Sequence, residues 1–358
     1  MTSGFRIQGV SAVVCNYNGE AYLEECLRSI QDQPGVDEIL VVDDASTDGS
    51  VALVRARFPD VRVIQIEKNS GPCVARNAGM RAAQHRWVLA VDNDAVLRPH
   101  AVGLLRRALE DHPQFMLAQP RSVLYDEPDR VHYDSGSFHY VGLLSLRNFY
   151  TPLEEAEGEG VVEVDVLIGI CALMDRDVVL SNGGYDEAFF YLSEDYELAY
   201  RLRMQGERFA SVEEAIVLHR GGTEGLSFRG GGYPERRAFL HSRNRWRILV
   251  KCYSWRTLIV AAPGILLYEL VWLAFMVKSG HLRPYLAGKR SFFEQLAGAL
   301  TMRAVLQTRR RLPDRKLLVG GPLTFSPSLV ESRFGENARR VLDAALRTWW
   351  FLARWLAG

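Results

Sequence analysis

Two aspartates one residue apart, Asp92 and Asp94, close the stretch WVLAVDNDAVL at residues 87–97. Val88 to Val91 reads as a short buried strand, so both carboxylates project from the end of a rigid element. Such a pair can grip a divalent cation that neutralises a diphosphate, because hard oxygen ligands suit Mg2+ or Mn2+. A solvated Asp-Asn-Asp turn is the competing explanation. Two further polar clusters weigh against it, Asn16 to Asn18 and Asp43-Asp44, each directly following an apolar run. Three such clusters at equivalent strand ends imply a single cleft.

The elements that must position these groups alternate. Strands are expected at Val10–Cys15, Glu38–Val42, Val61–Ile66, Trp87–Val91 and Phe115–Gln119. Between them lie helices, the first with Leu23, Cys26, Leu27 and Ile30 on one face at three- and four-residue spacing. Pro99 suits the first turn of the helix that ends near Asp111. Continuous apolar strands interleaved with helices are the pattern of an α/β sheet wound from βα units, which binds ligands beyond the carboxyl ends of its strands. Residues 121–160 break the pattern and read as an excursion over the cleft. A helix is expected at Glu194–Gln205, then a strand at Ala215–Leu218 running into His219. A glycine-rich stretch, Gly221 to Gly232, follows.

Composition narrows the classes. Lys+Arg and Asp+Glu both number 43 in 358 residues, which gives no electrostatic reason to expect nucleic acid. Locally the balance fails: His281 to Lys316 holds nine Lys/Arg against two acids, a net charge of +7. Five scattered cysteines with no Cys-x-x-Cys pair exclude a disulfide framework or a cysteine zinc site and fit a reducing compartment. The first residues carry no basic segment followed by an apolar core, so no signal peptide is expected.

Taken in order, VSAVVCNYNGEAYLEECLRSI, EILVVDDASTDGS, GPCVARNAGM, VLAVDNDAVL, GYDEAFFYLSEDYELAYRLRMQG and VLHRGG resemble family 2 glycosyltransferases over about residues 8–250. The last pieces, with RNRWRIL at 243–249, are most like single-addition, rhamnosyltransferase-type members. Processive polymerases of the family carry Gln-x-x-Arg-Trp, and Ser242 stands where that glutamine would be. The resemblance implies the GT-A nucleotide-diphospho-sugar transferase fold, a Rossmann-like mixed sheet flanked by helices, with a catalytic domain over 1–250. It further implies sugar transfer from a nucleoside diphosphate to an acceptor hydroxyl with inversion. On that basis Asn16, Asp44 and Arg76 become candidate receptors for the nucleotide, with Asp44 against the base. Asp92 and Asp94 would hold the metal, shared with the donor through Asp92, and His219, 24 residues past Asp195, would be a third ligand. Asp195 would be the general base, with Glu194 orienting it or the acceptor. Gly169 would belong to the small-residue floor under the donor sugar.

Residues 251–358 read as a C-terminal helical extension associated with the membrane. Leu258 to Val277 is long enough to span a bilayer, yet it contains Glu269 and Pro263-Gly264, so a helix lying on the membrane or on the catalytic domain competes. Near the end, Arg340, Asp343, Arg347 and Arg354 share one helical face, while Trp349, Trp350, Phe351 and Trp355 crowd much of the rest. That arrangement suits the headgroup region of an anionic membrane, with a homodimer through the C-terminal helices as the alternative. Residues 313–335 read as an irregular connector. The expected partners are a nucleoside-diphosphate sugar donor, a glycan or lipid-linked glycan acceptor and the inner face of the cell membrane, where the protein would be peripheral or singly anchored. A polyprenyl-phosphate sugar synthase and a catalytically silent nucleotide-sugar-binding scaffold are the competing functions.

Overall fold

The computed structural model describes residues 6–221, 225–227, 233–329 and 332–358. Most of the glycine-rich Gly221–Gly232 stretch lies outside the described residues. The chain packs as two compact units interleaved in sequence. The first comprises 1–135, 148–198 and 207–221, and the second 136–147, 199–206 and 222–358.

In the first unit the chain runs β1 (Val10–Asn16), α1 (Glu20–Gln31), β2 (Glu38–Asp43), α2 (Ser50–Arg57), β3 (Arg62–Gln65), α3 (Pro72–Ala82) and β4 (Trp87–Asp92). These strands lie parallel in the order β3-β2-β1-β4. The succession therefore reverses between β1 and β4, the place where a wound sheet opens a crevice at its carboxyl edge. Burial rather than capping holds the helices here. α1 has no side-chain N-cap, a deficit of about 1 kcal/mol, but it fully buries Leu23, Cys26, Leu27 and Ile30. Each large aliphatic side chain so buried contributes about 1.5–3 kcal/mol.

After the Asp92–Asp94 turn come β5 (Ala95–Leu97), α4 (Ala101–Asp111), β6 (Leu117–Leu124) and β7 (Val131–Tyr133). The expected strand at 115–119 thus runs on to Leu124, inside what the sequence presents as irregular. Two short strands of the second unit follow, β8 (Gly136–His139) and β9 (Leu143–Leu146), and then β10 (Val161–Val164), β11 (Cys171–Asp175), α5 (Arg176–Ser181), α6 (Glu194–Met204) and β12 (Phe209–His219). The complete main sheet has the order β10-β12-β6-β11-β4-β1-β2-β3, with β5 on β12 and β7 on β6. Because β11 is antiparallel to β4 and to β6, the sheet is mixed.

The second unit is mainly helical: α7 (Glu235–Cys252), α8 (Trp255–Lys278), α9 (Leu282–Glu294), α10 (Leu296–Thr308), the short α11 (Asp314–Leu317) and, after strand β13 (Leu318–Val319), α12 (Arg333–Ala353). Part of the expected 313–335 connector is therefore ordered. Val319 and Leu318 pair in parallel with β8, which pairs antiparallel with β9. α8 runs unbroken through Pro263.

Candidate active site

The β1/β4 switch point is closed by amide side chains. Asn16, at the end of β1, donates through Nδ2 to Asp43 Oδ1 at 2.8 Å and Ser50 Oγ at 2.9 Å. Its Oδ1 accepts from Asn93 Nδ2 at 2.8 Å. One buried asparagine thus ties the ends of β1 and β2 to the Asp92–Asp94 turn. Asp44 accepts from the backbone N–H groups of Ser70 and Gly71 at 2.8 and 2.7 Å, fixing the loop that opens α3.

Five residues beyond that loop opening, Arg76 faces the acids. Its side chain is 4% exposed. Nη2 donates to Asp92 Oδ1 at 2.8 Å and to the Gly169 carbonyl at 3.2 Å. Nη1 donates to Glu194 Oε1 at 3.2 Å and lies 3.6 Å from Asp195 Oδ1. The Tyr185 ring sits 5.2 Å from the guanidinium carbon. Arg76, expected among the nucleotide receptors, is thus placed as the counter-charge for three carboxylates. A planar fork suits this better than an ammonium could, since separate N–H groups address separate acids.

Glu194 and Asp195 begin α6 and differ in access. The Glu194 side chain is 5% exposed and that of Asp195 25%, so Asp195 is the acid that reaches outward. Its Oδ1 makes no hydrogen bond among the described residues. Burial pushes the Asp195 carboxyl up to about 8; Arg76 opposes the shift, while Glu194 and Asp92 reinforce it. Gly169 presses directly on this carboxylate: a Cβ there would stand 2.1 Å from Asp195 Oδ2. The small residue expected beneath a sugar is, within the protein, the residue that makes room for Asp195.

The third cluster follows from strand register. β5 runs antiparallel to β12 with Ala95 opposite His219, which brings the neighbouring Asp94 to the same end. His219 Nε2 lies 3.4 Å from Asp94 Oδ1. Asp92, Asp94 and His219 each offer one ligand atom within 4.8 Å of the others. Burial first, and then the charge of Asp94, raises the Asp92 carboxyl above its ordinary range. Two carboxylates and an imidazole, each offering an atom to one point, form a donor set that fits Mn2+ or Mg2+.

The sequence did not single out several neighbours. His132, from β7, meets His219 edge to edge with Nδ1 to Nδ1 at 3.0 Å, the ring planes 28° apart and the centroids 5.1 Å apart. Burial, then His219, pushes His132 down to about 3, so it is neutral. Arg220, beside His219, pairs with Glu25 and packs on the Tyr125 ring, 3.4 Å from its centroid. His132 belongs to no spaced motif, and only the pairing of β6 with β7 brings it to this edge.

A glycosyl transferase family 2 model matches residues 11–181, the span that holds β1 to β4, the Asp92–Asp94 turn and Gly169. Residues 11–181 are a family 2 glycosyltransferase domain. The sheet and its flanking helices are the GT-A fold. Among relatives of the family 2 domain, the succinoglycan biosynthesis protein ExoO of Rhizobium meliloti is 42% identical over 108 residues, 29% of this chain and 30% of that one. The amylovoran biosynthesis glycosyltransferase AmsE of Erwinia amylovora is 24% identical over 227 residues, 62% of this chain and 79% of AmsE. A crystal structure of GalNAc-T7 with UDP, GalNAc and Mn2+ superposes with a TM-score of 0.51 at 15% identity, over 68% of this chain and 51% of that one. That likeness is one of fold. The chain thus spans less than a third of ExoO and about half of GalNAc-T7.

Proposed function

We propose that this chain is an inverting glycosyltransferase that moves one sugar from a nucleoside diphosphate sugar to an acceptor hydroxyl during synthesis of a cell-surface polysaccharide. The observation that carries the reading is the shared guanidinium. Arg76 binds Asp92 of the acid-imidazole cluster through one nitrogen and faces Asp195 through the other. The groups that would hold a leaving diphosphate and the group that would activate an attacking hydroxyl are thereby fixed at one cleft edge. The names of ExoO and AmsE, both biosynthetic for polysaccharides, support the substrate class.

In this mechanism Asp92, Asp94 and His219 would hold a divalent cation, and the Mn2+ in the GalNAc-T7 structure supports that choice. Bound there, the cation would supply Lewis-acid charge to a departing diphosphate. Asp44 receives the base with the lone pairs left after its two backbone hydrogen bonds, and Asn16 holds the floor of that pocket in register. Asp195, ionised once pH passes the value of about 8 that burial gives it, removes the acceptor proton, while Glu194 holds Arg76 in position and Gly169 keeps the Asp195 carboxylate in place. The protein works peripherally at the inner face of the membrane, on a glycan or lipid-linked glycan acceptor.

A panel of nucleotide sugars, screened calorimetrically with and without Mn2+, tests the reading. Asp94→Ala should abolish transfer and remove the metal dependence of donor binding. Unchanged turnover with metal still required would sink the assignment.

A further inference from the structure

We infer that His132 is a positioning residue that sets the tautomer of His219 for metal binding. The inference rests on the proposed cation site at Asp92, Asp94 and His219. Two imidazole nitrogens 3.0 Å apart share a single proton, one donating and the other accepting. In His219 the contact uses Nδ1, while Nε2 is turned to Asp94 at 3.4 Å. A ring nitrogen binds a cation only through a bare lone pair, so a ligating Nε2 requires the His219 proton on Nδ1. That proton must then point at an acceptor, and the Nδ1 of His132 is the acceptor facing it. His132 in turn carries its own proton on Nε2.

A histidine in water favours the opposite tautomer, with the proton on Nε2. Without an acceptor at His132, His219 would turn an N–H toward the cation position. Ligating histidines commonly hand their second nitrogen to a carboxylate or carbonyl, and loss of that partner weakens metal binding about 10- to 100-fold. Here a second imidazole fills the role. Its own ring is held edge-on by Tyr133 at 4.6 Å and Tyr150 at 5.7 Å between centroids, so the acceptor has a fixed direction.

The test titrates Mn2+ into the full chain by electron paramagnetic resonance, in separate series with UDP and with GDP, and reads the 14N modulation of a bound imidazole. His132→Phe keeps a flat ring between Tyr133 and Tyr150 without an acceptor. His132→Asn places an amide oxygen near the position of Nδ1. Mn2+ affinity should fall about 10- to 100-fold in His132→Phe, with the 14N signal lost, and both should largely return in His132→Asn. If His132→Phe does not fold, His132→Leu takes its place. Wild-type Mn2+ binding in His132→Phe, beside an Asp94→Ala control that has lost it, overturns the role of His132 and leaves the cation site standing. Equal losses in Phe and Asn overturn it too, in favour of plain packing. A wild-type protein that binds no Mn2+ with either nucleotide overturns the cation site and the inference together.

Discussion

Three carboxylates at one cleft edge would repel one another, and Arg76 is what allows Asp92, Glu194 and Asp195 to stand together. Removing one partner of a buried ionic group leaves the others uncompensated, at about 3–5 kcal/mol. Arg76→Met should therefore lower the thermal midpoint sharply, by a loss of that size, and Arg76→Lys should restore only part of it. Denaturation of both variants beside wild type checks this. Asp195 makes a sharper prediction. Asp195→Asn should leave donor affinity intact and reduce turnover about a hundredfold to ten-thousandfold, the worth of a positioned base, whereas a mere helix-capping acid would tolerate asparagine. The same carboxyl also links stability to pH. Its folded value near 8 lies above the ordinary 3.8, so the native state keeps a proton that the unfolded chain releases. The stabilisation is fully present below about pH 4 and declines as pH rises through 8. Chemical denaturation of the metal-free protein across that window should show the decline in wild type and flatten it in Asp195→Asn. At this scale the sequence exposes acids that sit in motifs, Asp92 and Asp94 at a strand end and Asp195 at a helix start. It conceals what depends on the third dimension. The sequence offers Arg76 as a nucleotide receptor but not its partners from α6 and from the Gly169 loop, and His132 has no local signal at all.

α8 shows how far hydropathy reaches at the level of an element. Its length and apolar content allow a membrane crossing, and among the described residues it is the one helix that does so. The facing of its residues is another matter. Ala261, Gly264, Ile265, Tyr268, Trp272 and Met276 form a buried stripe, while Ile259, Leu266, Leu270 and Val277 form an exposed one. Glu269 does not face outward alone. Arg245, Lys289 at 2.5 Å, the Trp246 indole N–H at 3.0 Å and the Tyr285 hydroxyl all converge on its carboxylate. One face of α8 and its Glu269 carboxylate are thus committed to α7 and α9, the arrangement of a packed helix rather than of one surrounded by lipid. Glu269→Gln separates the two cases by sign. In the packed helix it strands Arg245 and Lys289 and should destabilise the protein by about 3–5 kcal/mol; in a lipid-surrounded span it would remove an insertion penalty of about 2.5–3.5 kcal/mol. Thermal melts in detergent and in buffer distinguish them, and an unchanged or raised midpoint would refute the packed arrangement. The apolar run is plain in the sequence, but its division into two stripes depends on residues far along the chain, such as the Tyr140 hydroxyl against Gly264.

At the scale of the whole molecule the proposed function asks what would hold the protein beside a membrane-borne acceptor, and the second unit offers a continuous candidate surface. Trp349 donates its indole N–H to the Val260 carbonyl at 3.0 Å, and Arg256 donates to the Leu356 carbonyl at 2.6 Å. These bonds join the start of α8 to the end of α12 and the helical turn after it. Trp255 and Ile259 on one, and Phe351, Leu352, Trp355 and Leu356 on the other, are exposed. Trp350 alone of the expected aromatic cluster turns inward, stacked on Tyr140 at 4.6 Å between centroids. Truncating the last helix would therefore damage the unit as well as its surface. Substituting only the exposed residues avoids that: Phe351→Ser, Leu352→Ser and Trp355→Ser combined should shift stability little, as surface changes usually do. Each such side chain moved from water into lipid is worth about 1.5–3 kcal/mol, so losing three should reduce vesicle binding by at least a thousandfold. Arg256 and Arg354 border the patch, and basic residues near an anionic surface add about 1 kcal/mol each. Wild-type flotation should consequently be stronger with phosphatidylglycerol than with phosphatidylcholine vesicles and should weaken with added salt, whereas the triple variant should stay in the soluble fraction under every condition. If the variant floats with wild-type strength, this surface is not the attachment site, and the exposed stripe of α8 beyond Leu266 becomes the next to be substituted.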